Sequence, residues 1–372
     1  MSATGVNPDT AMSKRERLYR QMPWWLPVLI GCMLTCALTL NIIALLPTVT
    51  FMEIKGLVMP GPYSILKVIQ MLWHHGLYPL VILVVVFSVL FPPIKVTLAT
   101  MSMFKPMTVA GRQRLLGTLG QLGRWSLLDV FVALLLIIIT TKQSLTSTTV
   151  SIGLYAFLGS ILLSMSSVAI LQEFNRRRAM PSSPPVHVPH LRPMLQDGGW
   201  RVWAVVPLLI VAIAVLMLAV HLPLFQIDKF GLMSHTWSLW GAIMDFRSES
   251  AGLHLFSVVM FMYLVAAPAL LVLVALLVLL LPIRQHWQRR LYVAMHNIYE
   301  WCMLDVFVLA LLLYLSEENS FAKLDLKLGV WFLFGSVVLF HGVMYMTVHT
   351  VRREAGMRHH GRWPSSASFA GH

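Results

Sequence analysis

The chain carries little charge: 12% of its 372 residues are Asp, Glu, Lys or Arg, while 58% are hydrophobic. An ordinary soluble domain, with about a quarter of its residues charged, is thereby excluded. Cysteine is scarce as well, with only Cys32, Cys36 and Cys302. A disulfide scaffold is excluded, redox chemistry is not expected, and the three thiols read as small packing residues. No H-E-x-x-H, P-loop, G-x-G-x-x-G or G-x-S-x-G occurs. The histidines are scattered: His187-x-x-His190 lies among prolines, and His74-His75 and His359-His360 have no acidic or cysteine partners nearby in sequence. With no constellation for nucleophilic or metal catalysis, no enzyme activity, cofactor or metal site is expected.

What the chain has is a duplication. Trp125 and Asp129 in W-S-L-L-D-V-F-V match Trp301 and Asp305 in W-C-M-L-D-V-F-V, 176 positions on. At the same offset Pro47 meets Pro223, Pro92 meets Pro268, Gly153 meets Gly329, and Gly159-Ser160 meets Gly335-Ser336. Arg114-Leu115 likewise meets Arg290-Leu291, with no gap between anchors. Such regularity in an apolar chain implies two homologous bundles about a pseudo-symmetric interface, an arrangement that many transport proteins use.

A membrane-crossing helix needs about 20 apolar residues. Eight segments qualify, four per half: 25–46, 77–103, 125–141, 152–172, 203–222, 253–281, 301–316 and 328–350. The expected fold is an all-α integral membrane protein of two four-helix bundles, residues 25–173 and 201–355. A tail of 1–24, a linker of 174–200 rich in Arg, Pro and Ser, and a tail of 356–372 complete the chain. The formal net charge of +13 does not indicate a nucleic-acid partner, because the basic residues are sorted by loop. Segments 1–24, 105–124, 173–201, 282–297 and 351–372 hold 20 of the 28 Lys and Arg. The positive-inside rule places those segments and both termini in the cytoplasm. Lys14, Arg15, Arg17 and Arg20 before an apolar run without an A-x-A exit read as an uncleaved signal anchor.

The opposite loops carry strand signals. T-V-T-F-M-E-I-K and S-T-T-V-S-I in the first half, L-F-Q-I-D-K-F and A-K-L-D-L-K-L in the second, predict a small outer sheet over each bundle. Beside them, Ile65, Leu66, Ile69 and Leu72 recur at helical spacing, as do Trp240, Ile243 and Met244. These predict amphipathic helices that either lie at the membrane boundary or cap the bundle.

Ionisable groups inside a bilayer are costly and so mark candidate sites. Lys95 follows Phe91-Pro92-Pro93 within the second span. Asp129 opens the third span, Asp305 is its repeat mate, and Glu300 stands where the first half has Arg124. The simplest account pairs Lys95 with Asp129 at similar depth, in a polar pocket opened where Pro92 and Pro93 free backbone carbonyls and kink the helix. The structural alternative is that Ser126-x-x-Asp129 forms a capping box. Lys95 corresponds to Leu271 and Pro93 to Ala269, so the second half keeps the acid and loses the base. Gly153, Gly159 and Ser160, with Gly329, Gly335 and Ser336, read as small residues for close helix packing, with a hydroxyl-lined groove as the alternative.

G-R-W-S-L-L-D-V-F-V, preceded by P-x-x-K in the previous span and repeated in the second half, resembles the paraquat-inducible protein A family. The resemblance covers residues 25–355 and implies a component of an intermembrane lipid transport system in a bacterial inner membrane. Its partners would be phospholipids and a periplasmic MCE-domain protein. Pro92, Lys95, Arg124, Trp125, Ser126, Asp129, Trp301 and Asp305 match the family's pattern. Members often carry C-x-x-C zinc ribbons before each half. Residues 1–24 and 174–200 have no cysteine, so zinc is not expected. A proton-coupled permease using the Lys95–Asp129 pair, and a non-transporting scaffold for the MCE protein, are the competing readings.

Overall fold

The computed structural model describes residues 17–56, 61–74, 76, 78–141, 146–179, 199–229, 233–249, 251–280, 291, 294–295, 297–315 and 323–358. His187, His190, His359 and His360, and most of the two tails and the linker, lie outside the described residues. The chain divides into two compact units, one within Met1–Pro184 and the other Pro185–Trp363.

In unit 1, helix α1 (Trp25–Leu45) leads to strands β1 (Met52–Gly56) and β2 (Gly61–Tyr63) and the short helix α2 (Ile65–His74). Helix α3 (Tyr78–Val84) widens into a π-helical segment, Val85–Leu90, and continues as α4 (Phe91–Phe104). Helix α5 (Val109–Trp125) is followed by α6 (Leu128–Thr141), strand β3 (Thr146–Val150) and the long α7 (Ile152–Ala179). Helices α1 and α7 pack along one another and α5 packs on α7. A core of Ile30, Leu34, Ala99, Met103, Leu116, Leu119, Val168 and Leu171 joins α1, α4, α5 and α7. Leu18 and Met22, expected in a polar tail, are also buried in this core, in and just after a single 3-10 turn at Leu18–Gln21. Helix α7 extends past the expected bundle end into the basic segment, where Glu173 pairs with Arg176 and, at 2.7 Å, with Arg177.

Unit 2 repeats the order: α8 (Gly199–His221), β4 (Pro223–Lys229), β5 (Met233–Ser238), α9 (Leu239–Glu249) and α10 (Ala251–Met260). A π-helical segment at Phe261–Ala266, α11 (Ala267–Leu280), α12 (Leu304–Leu315), β6 (Lys323–Leu326) and α13 (Leu328–Arg358) follow. Helices α8 and α13 pack along one another over a core that includes Leu209, Leu271, Ala275, Phe340 and Cys302, a packing thiol, whereas Cys32 and Cys36, also expected to pack, are exposed on α1.

The two π segments fall at the same offset, 85–90 and 261–266. Each directly precedes a proline helix: a proline has no N–H, and its ring crowds the carbonyl four residues back. Widening the turn relieves that crowding, and the N–H groups of Phe91 and Ala267 reach the carbonyls of Val86 and Met262, five residues back.

Each sheet is antiparallel and three-stranded, in the orders β2-β1-β3 and β5-β4-β6. The sequence signals located β1, β3, β4 and β6 and missed β2 and β5. Gly-Pro-Tyr is too short to alternate, and the residues of β5 run directly into a helix. Of the two amphipathic helices, α9 buries Leu239, Ile243 and Phe246 and so caps its bundle, whereas α2 leaves Leu66 and Trp73 exposed.

Among the described residues, six helical stretches are long and apolar enough to cross a membrane: Trp25–Leu45, Val81–Phe104, Ile152–Arg177, Trp203–His221, Leu253–Leu280 and Leu328–Thr347. Their outward side chains are apolar: Ile82 is 63% exposed and Val338 73%. This is a multi-pass membrane protein. The expected third span of each half differs, because α6 has 14 residues and α12 has 12. At about 1.5 Å per residue neither covers a hydrocarbon layer of about 30 Å alone.

The small residues divide by role. A Cβ on Gly153 would lie 2.5 Å from the Thr50 carbonyl oxygen, and the Gly153 N–H donates to that oxygen at 3.0 Å. A Cβ on Gly329 would overlap the Pro223 carbonyl. These two glycines admit the chain that links α1 to β1 and opens β4, rather than a facing helix. Gly159 faces Leu40 on α1 at 3.5 Å, whereas nothing lies within 4 Å of a Cβ on Gly335. Ser160 and Ser336 are buried, and Ser336 donates to the Leu333 carbonyl at 2.7 Å.

Candidate functional site

Pro92 and Pro93 follow Ser88 by four and five residues. Those are the two positions whose N–H groups a helical carbonyl at 88 would accept, and proline offers neither. Ser88 is fully buried, so its carbonyl needs another donor. The Asn41 amide on α1, 1% exposed, supplies it: Nδ2 donates to the Ser88 carbonyl at 3.5 Å. The Ser88 hydroxyl in turn donates to Asp129 Oδ2. A polar chain thus runs from α1 through the π segment to the first turn of α6.

Asp129 stands where the third helix is interrupted. Helix α5 ends at Trp125, Ser126 and Leu127 form a turn, and α6 restarts at Leu128. The Ser126 N–H goes to the Gly123 carbonyl at 3.3 Å, so it is not the donor that a capping box would direct at Asp129. Arg124 is buried in the last turn of α5, where a cation complements the carboxy-terminal end of the helix dipole.

Lys95 is held elsewhere. Its side chain is 1% exposed, and Nζ donates to Ser164 Oγ on α7 at 3.1 Å. The Ser164 hydroxyl in turn donates to the Ile161 carbonyl at 2.9 Å. Lys95 packs against Gly123 on α5, where a Cβ would lie 2.8 Å from Nζ and 3.3 Å from Cε. The expected Lys95–Asp129 ion pair is absent, and the reason is depth. Asp129 meets the helix at Ser88, seven residues before Lys95, roughly 10 Å along the axis. The break in the third span lets Asp129 sit that far from the loop.

Unit 2 keeps the frame of this site and loses its polar groups. Trp125 stacks on Phe87 of the π segment at 6.1 Å between centroids, and Trp301 stacks on Tyr263, the equivalent residue, at 5.9 Å. Asn41, Ser88, Pro93, Lys95 and Ser164, however, become Met217, Leu264, Ala269, Leu271 and Phe340. Gly123 becomes Tyr299, which packs in the same core as Leu271. Asp305 accepts from the Val306 N–H at 3.0 Å and lies 3.9 Å from His341 Nε2. Glu300 sits in helical residues 297–301, partly buried, just before Trp301.

Of the residues singled out from the sequence, Pro92 and Asp129 thus belong to the Ser88 chain and Lys95 to a separate contact. Arg124 and Ser126 flank the helix break, and Asp305 and Glu300 belong to unit 2. Asn41, Ser88 and Gly123 were missed. The duplication held the signal for them, since each is polar or small in one half and apolar or large in the other. Among the described residues no cluster of His, Cys, Asp and Glu could hold a metal ion.

Neither the curated proteins nor the solved structures include a match to the chain. The family model described as paraquat-inducible protein A matches it twice, over residues 30–179 and 202–352. Those two ranges take in both bundles, both Trp-x-x-x-Asp motifs and the proline-linked π segments, and the chain belongs to the paraquat-inducible protein A family.

Proposed function

We propose that the chain is the inner-membrane component of an intermembrane phospholipid transport system, passing lipid between the bilayer and a periplasmic MCE-domain partner. In this reading both termini are cytoplasmic and the two sheets are periplasmic. Helices α5 and α6 together make the third of eight crossings, and residues 297–301 with α12 make the seventh. The observation that carries the proposal is Lys95. No carboxylate reaches it among the described residues, and its partner is the Ser164 hydroxyl. It lies nine residues from the end of α4, about 13 Å into the layer. A buried ammonium with only a neutral partner is costly, and an anionic phosphate entering between α4, α5 and α7 would neutralise it.

The test is affinity purification from native membranes with mass spectrometry of bound proteins and lipids. An MCE-domain protein and phospholipid are expected, with Lys95→Leu retaining the protein and losing lipid. A Lys95→Leu variant that keeps its lipid and delivers it normally would leave the chain a scaffold. A chain that emerges alone and lipid-free would overturn the proposal.

A further inference from the structure

Among the described acids of unit 1, Asp129 is the one set in the first turn of an apolar helix. Its partner is the Ser88 hydroxyl, inside an apolar bundle. The charged groups on the elements around it are few. Helix α1 and the π segment carry none, α4 carries Lys95, α5 carries Arg112 and Arg114 in its first two turns and Arg124 in its last, and α7 has none before Glu173. Lys95 is engaged with Ser164, and no arginine or lysine among the described residues forms an ion pair with Asp129. The amino-terminal end of α6 offers partial positive charge and does not neutralise a full one. A carboxylate so placed needs a cation or a proton from outside the protein.

Ser88 brings two oxygens to this place, its hydroxyl and its carbonyl. Against the carboxylate stands the Ser88 hydroxyl, and the same residue's carbonyl is deprived of helical donors by Pro92 and Pro93. The Asn41 amide meets that carbonyl at 3.5 Å, the long end of a hydrogen bond. An amide can turn over, and its oxygen then faces the Ser88 carbonyl in place of its nitrogen. Carbonyls freed at an interrupted helix, together with a carboxylate and a hydroxyl, are the means by which membrane proteins hold small cations without water. Unit 2 serves as an internal control: Asp305 remains, while Leu264, Met217 and Ala269 replace Ser88, Asn41 and Pro93.

We propose that Asp129, the hydroxyl and carbonyl of Ser88 and the Asn41 amide form a binding site for one small monovalent cation, sodium or a proton. The site is confined to the first unit. Its use in driving lipid movement rests on the function proposed above, but its binding of the cation does not.

The test uses the full chain in lipid nanodiscs without any partner, and a hydrophobic carbodiimide that reacts with protonated carboxyls. Labelling of Asp129 is followed by peptide mass spectrometry, with Asp305 of the same molecule as reference. For a proton site, Asp129 labelling falls as pH rises and is indifferent to exchanging sodium for choline. For a sodium site, sodium at ten times its dissociation constant cuts labelling about tenfold at fixed pH and ionic strength, with no effect on Asp305. Ser88→Ala shifts the protecting sodium concentration or the labelling midpoint about tenfold, and Ser88→Thr, which keeps the hydroxyl, restores it. If Ser88→Ala does not fold, Asn41→Gln, which moves the amide without removing it, takes its place. Asp129 that stays unlabelled at every pH and salt, or labels equally in all of them, overturns the proposal.

Discussion

Gly123→Ala tests how Lys95 is held. The added Cβ would lie 2.8 Å from Nζ and 3.3 Å from Cε, closer than carbon and nitrogen pack. The atom it meets is the flexible end of a side chain, so the strain is relieved by moving the ammonium off Ser164, now 3.1 Å away. Losing a hydrogen bond to a charged group costs about 1.5–3 kcal/mol. Alanine is better than glycine inside a helix by about 1 kcal/mol. The single variant is therefore expected to lose about 0.5–2 kcal/mol. With Lys95→Leu in place the clash is gone, and Gly123→Ala should then stabilise by about 1 kcal/mol. The cycle thus carries a coupling of about 1.5–3 kcal/mol. Unit 2 already holds an analogous double replacement, with Leu271 for the lysine and Tyr299 for the glycine. Chemical unfolding of the four purified proteins in one detergent measures the coupling. Effects that add within about 0.5 kcal/mol would show that Lys95 does not press on Gly123, and the placement of the ammonium would be abandoned.

Three further outcomes are expected. Asn41→Met leaves the buried Ser88 carbonyl without its donor and should cost about 1–3 kcal/mol. Adding Pro93→Ala, which supplies an N–H five residues on as Ala269 does in unit 2, should recover most of that loss in thermal unfolding. Gly153→Ala and Gly329→Ala push a Cβ into backbone carbonyls that cannot move away and should each lose about 1–3 kcal/mol. Gly335→Ala, with nothing within 4 Å, should gain up to about 1 kcal/mol in the same assay. Trp301→Leu removes the stack on Tyr263 and should cost about 0.5–1.5 kcal/mol beyond lost area, measured against Tyr263→Leu in a double-mutant cycle.

Much of the architecture was legible because its signals are local. A run such as Trp25–Leu45 is apolar on every side and has only one use in a lipid environment. Strands β1, β3, β4 and β6 showed as short alternating segments after proline or between spans. The interruption of the third helix was not legible: 125–141 read as one span from Trp125, and no period in the sequence records a break at Ser126–Leu127. The π segments left a trace only in Pro92 and Pro268. Asn41 and Ser88 looked like isolated polar residues in apolar helices, because the carbonyl that draws them together belongs to the backbone and has no letter in the sequence.

The sequence by itself determined the two-fold repeat, the apolar helices, the Trp-x-x-x-Asp motif in each half and the loss of the basic residue from the second. These follow from composition and from one constant offset, which need no knowledge of neighbours. Only the tertiary structure decided the partner of each polar group: Asp129 with Ser88, Lys95 with Ser164 against Gly123, and Asn41 with a carbonyl that two prolines had freed. The physical reason is that a hydrogen bond depends on depth along facing helices. A break of two residues at Ser126–Leu127 positions Asp129 beside Ser88, about two turns before Lys95, and no spacing within the chain records which helices come to face each other there.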